Sequence, residues 1–258
     1  MPEVKEPYAP GTPCWVDLMV PDQQAALDFY RDLFGWQGEP GSPETGGYAV
    51  CTLRGLPVAG IGPVMEPGTP SAWTTYLSSD DARATLEKIT AAGGKPLTPV
   101  MDVQELGSMV VVADPVGSVF GVWGHKDFIG AQVVNEPSSL VWNECNTRDA
   151  AASTAFYGAA FGVTFAAAEG MAGYQEIRVN DRPVGGLQQM TDPPFPAEVP
   201  SHWLTYFSVD DTDSTVAAAV RANATVLMPP TDTPVGRMAS LSDPWGATFS
   251  IISANPPA

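Results

Sequence analysis

Two stretches of the chain repeat one pattern: CWVDLMVPDQQAALDFYRDLFGWQ at residues 14–37 and VWNECNTRDAAASTAFYGAAFGVTF at residues 141–165. In each stretch a β-rich run ends in an aspartate, Asp22 or Asp149, and a helical run follows. Aspartate is a favoured N-cap and glycine a favoured helix stop, so the first helix is predicted to begin after Asp22 and to end at Gly35. The Phe-Tyr pair of each helix falls on its apolar face and is predicted to face the core.

The repeat runs on through both halves and also divides each half. WTTYLSSDD at residues 73–81 matches WLTYFSVDD at residues 203–211, and each is again a strand-like run that ends in aspartate before a helical run. Asp-Pro-x-Gly recurs near the end of each half, at residues 114–117 and 243–246. Short β-rich runs, separated by glycine and proline, complete each unit. The sequence therefore predicts an α+β fold built from four βαβββ modules.

The boundary between the two halves is predicted in residues 131–139. This stretch contains Asn135-Glu136-Pro137 and has no hydrophobic periodicity, as is typical of a segment between domains. The chain is thus divided into a first domain, residues 1–130, and a second domain, residues 131–258.

Composition limits the classes of partner. The chain has 29 acidic and 12 basic residues, a net charge of −17, which repels nucleic-acid phosphates and anionic lipid, so neither is expected as a partner. Its three cysteines form no CxxC pair, so a disulfide framework and a zinc knuckle are unsupported. No run approaches the ~18 apolar residues of a membrane span. We expect a soluble, cytoplasmic protein, either a monomer or a homodimer.

The motifs together resemble one known superfamily. A strand ending in aspartate, a helix with Phe-Tyr that ends near Phe-Gly, and a late Asp-Pro-x-Gly run are similar to the vicinal oxygen chelate superfamily of glyoxalases, bleomycin-resistance proteins and extradiol dioxygenases. The tandem arrangement, with WNECNTRD at residues 142–149, resembles actinobacterial two-domain proteins of aromatic polyketide (anthracycline-like) clusters that are often labelled hydroxylases. The resemblance implies two cupped eight-stranded sheets with helices outside and a ligand inside each cup.

The resemblance also implies where a metal would be held. Catalytic members bind a divalent metal through His, Gln or Glu side chains inside the cup. Counted from the strand-end aspartates, those positions are Trp15, Thr74 and Gly121 in the first half and Trp142, Leu204 and Ser250 in the second. The two histidines, His125 and His202, lie in different halves. A borderline metal needs three or four converging nitrogen or carboxylate ligands, so no metal and no other cofactor is predicted.

The same geometry predicts what lines the cups. Side chains alternate along a strand, so Trp15 points the same way as Asp17, and Trp142 the same way as Glu144. The predicted ligand-binding residues are Trp15, Asp17, Met19, Tyr48, Tyr76 and Trp123 in the first cup and Trp142, Glu144, Asn146, Tyr174 and Tyr206 in the second. The first cup is the more apolar, so an aromatic ligand is expected to prefer it. Tryptophan beside a carboxylate suits a planar aromatic molecule that bears an amine.

A structural role is the alternative for the same residues. The tryptophans would then fill the cups, and the carboxylates of Asp17 and Glu144 would bond to the backbone or to arginines such as Arg54 and Arg178. A protein with both cups filled would have a structural or interaction role.

Two functional hypotheses follow. The first is a metal-free, non-catalytic binding protein for a polycyclic aromatic, cationic natural product of the anthracycline type. It would sequester this small molecule for self-resistance or act as an accessory to a tailoring oxygenase. The second is a cofactor-independent isomerase, lyase or hydrolase that acts on a polyketide intermediate through Tyr76, Tyr206 or Asp17. The fold supports both classes. The missing metal ligands favour the binding protein, and no catalytic residue is assigned.

Overall fold

The computed structural model describes residues 3–66 and 68–254. The predicted outer limits of the two domains, residues 1 and 258, lie outside the described residues. The first half contains β1 (Pro13–Val20), α1 (Gln23–Phe34), a 3₁₀ turn (Pro43–Thr45), β2 (Ala49–Leu53), β3 (Leu56–Pro63), β4 (Ala72–Ser79), α2 (Ala82–Ala91), β5 (Lys95–Pro96), β6 (Met101–Val103), β7 (Gly107–Ala113) and β8 (Val119–His125). The second half contains β9 (Leu140–Thr147), α3 (Ala150–Phe161), β10 (Thr164–Ala167), β11 (Tyr174–Val179), β12 (Arg182–Gln189), β13 (His202–Ser208), α4 (Thr212–Arg221), β14 (Thr225–Thr233), β15 (Gly236–Ser242) and β16 (Thr248–Ser253).

Each half forms one eight-stranded sheet from its own strands. The first sheet has the order β2-β3-β1-β4-β8-β7-β5, with β6 also paired to β7, and the second has the order β10-β11-β12-β9-β13-β16-β15-β14. The strands that open the modules lie side by side and antiparallel at the centre of each sheet, β1 beside β4 and β9 beside β13. The predicted α+β fold with two eight-stranded sheets is confirmed.

The first two modules depart from the full βαβββ pattern. The strand expected after α1 is reduced to a single bridge between Gln37 and Thr52, and a stretch rich in glycine and proline follows it. The equivalent strand after α2 is split into β5 and β6 around Pro99. Proline has no N–H to donate and fixes its φ angle, so it interrupts a strand ladder.

The helix limits are those that the capping pattern predicts. Asp22 and Asp149 each accept a hydrogen bond from the backbone N–H three residues further on, at 3.1 and 3.0 Å. Gly35 and Gly162 end the two helices with φ angles of 74° and 72°, a conformation that glycine adopts without strain. None of the helices in the described part of the chain combines the length and the apolar character needed to cross a membrane.

The two sheets meet at their convex faces. Thr75 of β4 donates its hydroxyl to the side-chain oxygen of Asn143 on β9 at 2.8 Å, and all of these atoms are buried. Helix α1 shares a hydrophobic core with Phe207 and Phe249 of the second half, and α3 shares one with Phe120 of the first half. The concave faces therefore turn away from the interface between the halves.

One tyrosine from each half holds the other half in place. Tyr30 of α1 donates its hydroxyl to Asp243 at 3.0 Å, and Tyr157 of α3 donates to Asp114 at 3.1 Å. The tryptophan that opens WTTYLSSDD or WLTYFSVDD donates its indole N–H to the same hydroxyl, at 3.0 and 2.8 Å. The second oxygen of each aspartate accepts backbone N–H groups of its own Asp-Pro-x-Gly turn. Both tyrosines are buried, as predicted for the Phe-Tyr pairs.

Replacing Tyr30 by phenylalanine is expected to lower the free energy of unfolding by about 1–3 kcal/mol, because a buried carboxylate oxygen and a buried indole N–H lose their partner. Tyr157→Phe should have an effect of similar size, since its contacts are equivalent. Urea denaturation of the two variants and the wild type measures both values. A loss below about 0.5 kcal/mol in both variants would contradict the role of these contacts.

Candidate functional site

The first cup contains a buried carboxylate linked to an indole through a tyrosine. Asp17 of β1 is 3% exposed, and the Tyr48 hydroxyl donates to its Oδ2 at 3.2 Å. Trp15 donates its indole N–H to the same tyrosine oxygen at 2.8 Å. Hydrogen bonding by the hydroxyls of Tyr76 and Thr74 also stabilises the charged form of the Asp17 carboxylate. Its Oδ1 atom has no hydrogen-bond partner among the described residues. These groups form one connected polar cluster on the concave face.

The second cup repeats this arrangement with a longer carboxylate. Tyr206 donates its hydroxyl to Glu144 Oε1 at 3.2 Å, and Trp142 donates its indole N–H to the Tyr174 hydroxyl at 2.7 Å. Tyr174 and Asn146 also hydrogen-bond to the Glu144 carboxylate. The side-chain oxygen of Asn146 is buried and has no partner among the described residues. A ligand that carries an N–H or O–H group could supply one.

Glycines make room for both tyrosines. A Cβ atom at Gly60 would lie 1.8 Å from the Tyr48 hydroxyl oxygen, and one at Gly186 would lie 1.9 Å from that of Tyr174. Gly121, the first-cup position at which the resemblance implies a glutamate ligand, lies against the ring of Tyr76, where a Cβ would be 2.1 Å from the nearest ring atom. Tyrosine rings therefore occupy the space that a side chain at these positions would need.

Burial dominates the charge state of the two carboxyl groups. It raises the pKa of Asp17 to about 7, although the hydroxyls of Tyr76, Tyr48 and Thr74 act in the opposite direction. Burial also raises the pKa of Glu144 above its usual range, against hydrogen bonds from Tyr174, Asn146 and Tyr206. The structure rules out the predicted arginine partners, because Arg54 pairs with Glu136 and Arg178 with Glu176.

The two cups differ in how far they are filled. Phe128 packs its ring edge-to-face on Trp15, with centroids 4.9 Å apart, and on Trp123, at 5.8 Å. Trp123 in turn donates its indole N–H to the Phe128 carbonyl at 2.7 Å. Trp15 is consequently only 4% exposed, whereas its counterpart Trp142 is half-buried. The apolar character that was expected to favour ligand binding in the first cup is largely satisfied within the protein.

The structure brings most of the predicted site residues together in their respective cups. The connected sets are Trp15, Asp17, Tyr48 and Tyr76 in the first cup and Trp142, Glu144, Asn146, Tyr174 and Tyr206 in the second. Met19 lies beside Tyr48 at the level of Gly62, and Trp123 joins the cluster around Phe128. Sequence analysis missed Phe128 and the glycines opposite the tyrosines. The recurrence of Gly60 at Gly186, in step with the tyrosines, was an available signal.

The residues present do not fit the divalent metal of the catalytic relatives. Trp15 and Trp142 occupy the first ligand position of each half, and their indole N–H groups are donors only. Within residues 3–66 and 68–254, no group of three or more His, Cys, Asp or Glu side chains is placed to hold a metal ion. On the face that carries Glu144, the second carboxylate, that of Glu176, is already paired with Arg178 at 3.0 Å.

Comparison with known proteins identifies the family. A family model described as "Glyoxalase/Bleomycin resistance protein/Dioxygenase superfamily" matches residues 14–122 and 139–251. The chain belongs to this superfamily. Each match begins within one residue of the start of the first strand of a half and ends in its last strand, so each half corresponds to one copy of the glyoxalase-type unit.

Relatives within the superfamily match over nearly the full chain. CFP32 of Mycobacterium tuberculosis (strain CDC 1551 / Oshkosh), named for a glyoxylase, is 43% identical over 266 residues that cover 99% of each chain. The anthracycline biosynthesis protein DnrV of Streptomyces peucetius is 38% identical over 262 residues, 95% of this chain and 94% of DnrV.

Solved structures show the shared fold at low sequence identity. The 2,3-dioxygenase LapB of Pseudomonas sp. KL28 superposes with a TM-score of 0.65 at 14% identity, covering 97% of this chain and 96% of LapB. The Mn(II)-bound glyoxalase of Novosphingobium aromaticivorans also gives a TM-score of 0.65, at 16% identity, covering 95% of this chain and 82% of that glyoxalase.

The purified protein is expected to contain well below one equivalent of zinc, iron or manganese per chain, because the described residues of neither cup bring together the three or four ligands that such a metal needs. Elemental analysis after purification without chelator measures this directly. EDTA should also leave the thermal midpoint unchanged, since no structural ion is removed. Stoichiometric metal in either cup would contradict this account of the glyoxalase-type site.

The pH dependence of the free energy of unfolding should reveal the raised pKa of Asp17. Its folded-state pKa of about 7 lies above the unfolded value of about 3.9, so the folded protein holds the extra proton between these values. Stability is therefore lost as pH rises through this window, by up to about 1.4 kcal/mol per pH unit from this group.

In the variant Asp17→Asn, the part of the slope that comes from Asp17 should vanish. Asp80→Asn, at an exposed position, is the matched control. Urea denaturation between pH 4 and pH 8 gives the slopes, and equal slopes for the wild type and Asp17→Asn would exclude the raised pKa.

Proposed function

We propose that the protein binds a planar, polycyclic aromatic natural product with a protonated amine, of the anthracycline type, in its second cup and without a metal. The observation that carries the proposal is the half-buried Glu144 carboxylate, bordered by the Tyr174 and Tyr206 hydroxyls and by the half-buried Trp142 indole. An indole face stacks on a planar ring system, and a carboxylate beside it attracts an ammonium group. Binding would serve sequestration of the compound, and so self-resistance, or would assist a tailoring oxygenase.

The net charge of the chain and the name of one relative support this ligand class. The net charge of −17 favours a cationic over an anionic ligand. The full-length relative DnrV is named as an anthracycline biosynthesis protein. An ammonium group at Glu144 would also offset the burial that raises the pKa of this carboxyl group, so binding and ionisation would reinforce each other.

The second cup is preferred because the first is occupied by its own side chains. Phe128 covers Trp15 there, and Asp17 is 3% exposed. A ligand would have to displace Phe128 before it could reach either residue. In the second cup Trp142 and Glu144 are already partly accessible.

A cofactor-independent enzyme is the second candidate, and the raised pKa of Asp17 favours it. A carboxyl group with a pKa near 7 can exchange a proton with a substrate, so Asp17 is a candidate general acid or base for a substrate that displaces Phe128. Such an enzyme would isomerise, cleave or hydrolyse a polyketide intermediate. Incubation with aromatic polyketide ketones and mass analysis of the products separates this candidate from a binder, which returns them unchanged.

Charge and stacking can be tested separately in the second cup. Glu144→Gln should weaken the binding of an anthracycline glycoside with an amino sugar by about 10- to 150-fold, or 1.5–3 kcal/mol, and should barely affect its neutral aglycone. Trp142→Leu should weaken both ligands, because the stacking area depends on the ring system. Calorimetry or quenching of tryptophan fluorescence provides the affinities.

Asp17→Asn is the matched control, since it makes the equivalent change in the filled cup and should leave both affinities unchanged. Equal losses of the two ligands in Glu144→Gln would remove the electrostatic part of the proposal. Unchanged binding in both second-cup variants would place the ligand elsewhere.

A further inference from the structure

A cavity of about 160 Å³ lies at the seam between the halves, beside the polar cluster around Glu144, with which it shares Trp142. Its walls come from the N-terminal segment (Tyr8, Thr12), the stretch between the halves (Val134, Asn135) and the second sheet (Trp142, Val184). None of the described residues that line it carries a charged side chain, although the chain as a whole has a net charge of −17. The cavity is partly open to solvent, so a small molecule can enter it.

The equivalent place in the first half is filled by the chain itself. There Ala131 donates its backbone N–H to Cys14 at 2.8 Å, and Gln132 donates to Pro57, also at 2.8 Å. The side chain of Val133 follows into the core and is 3% exposed. The residues between the halves thus cover the N-terminal ends of β1 and β3 in the first sheet.

The internal repeat shows what this covering leaves open in the second half. The counterparts of Cys14 and Pro57 are Val141 and Pro183, and both line the cavity. Among the described residues, this surface is therefore covered in the first half and accessible in the second.

Size and chemistry define the occupant. An apolar cavity of about 150 Å³ accepts benzene, so this one has room for a single six-membered ring. Trp142 and Tyr8 offer aromatic surface, while Thr12 and Asn135 offer polar groups for a hydroxyl substituent. A charged ligand would lose its hydration without gaining a partner.

We propose that this cavity is a second small-molecule site, which takes a neutral single aromatic ring with a hydroxyl group. The site goes beyond the proposed function, since its ligand needs neither Glu144 nor an amine. It shares one residue with the second cup. Trp142 lines the cavity and also donates its indole N–H to Tyr174, so a ring in the cavity touches the residue that borders the cup.

The probe is 4-fluorophenol, and its binding is followed by fluorine NMR. Wild-type protein is expected to bind it, while the anion 4-fluorobenzoate, with the same ring, should bind at least tenfold more weakly. Val184→Phe places a ring inside the cavity and should weaken 4-fluorophenol at least tenfold. Val235→Phe makes the same change at an exposed position in the second half and should keep wild-type affinity.

Thr12→Phe fills the cavity from the N-terminal segment. It tests whether 4-fluorophenol binds in the cavity if Val184→Phe does not fold. The thermal midpoint of each variant shows whether it is folded. Absence of 4-fluorophenol binding to the wild type would overturn the proposal, and so would undiminished binding to a folded cavity-filling variant. Binding of an amine-bearing anthracycline in the second cup is measured separately, so loss of one site leaves the other testable.

Discussion

The reciprocal contact of Tyr30 with Asp243, and of Tyr157 with Asp114, is the constraint on which the rest of the structure depends. Each aspartate holds the turn of its own half with one oxygen and the helix of the other half with the second. Because all four groups are buried or nearly so, separating the halves would leave polar atoms without partners. The convex faces are thereby fixed against each other, and each half presents its own concave face.

The two concave faces carry the same arrangement of a carboxylate, tyrosine hydroxyls and a tryptophan. In each cup tyrosine hydroxyls, rather than an arginine, hydrogen-bond to the carboxylate of the first strand, Asp17 or Glu144. Burial without a full counter-charge raises the pKa of Asp17 and of Glu144. A cation bound beside either carboxylate would stabilise its charged form. Phe128 closes the first cup, and the second remains accessible at Trp142.

Local rules account for what the sequence could predict. Capping fixes the helix limits at Asp22 and Gly35 because it needs only neighbouring residues, and strand alternation places Trp15 and Asp17 on one face. Contacts between distant segments could not be predicted in the same way. Tyr48 reaches Asp17 only because Gly60 lacks a Cβ, and Phe128 lies in a stretch without periodicity. The lost strand after α1 shows how a glycine- and proline-rich stretch overrides a module pattern.

The second cup is proposed to recognise a planar cation through its aromatic and carboxylate cluster, without a metal. A crystal structure with a bromine-labelled aminomethylanthracene tests it most directly, since anomalous scattering locates both bromine and any metal. The account predicts the anthracene ring stacked on Trp142, its ammonium group within hydrogen-bond distance of Glu144, and no metal peak in either cup. A ligand in the first cup, or a metal peak beside Glu144, would contradict it.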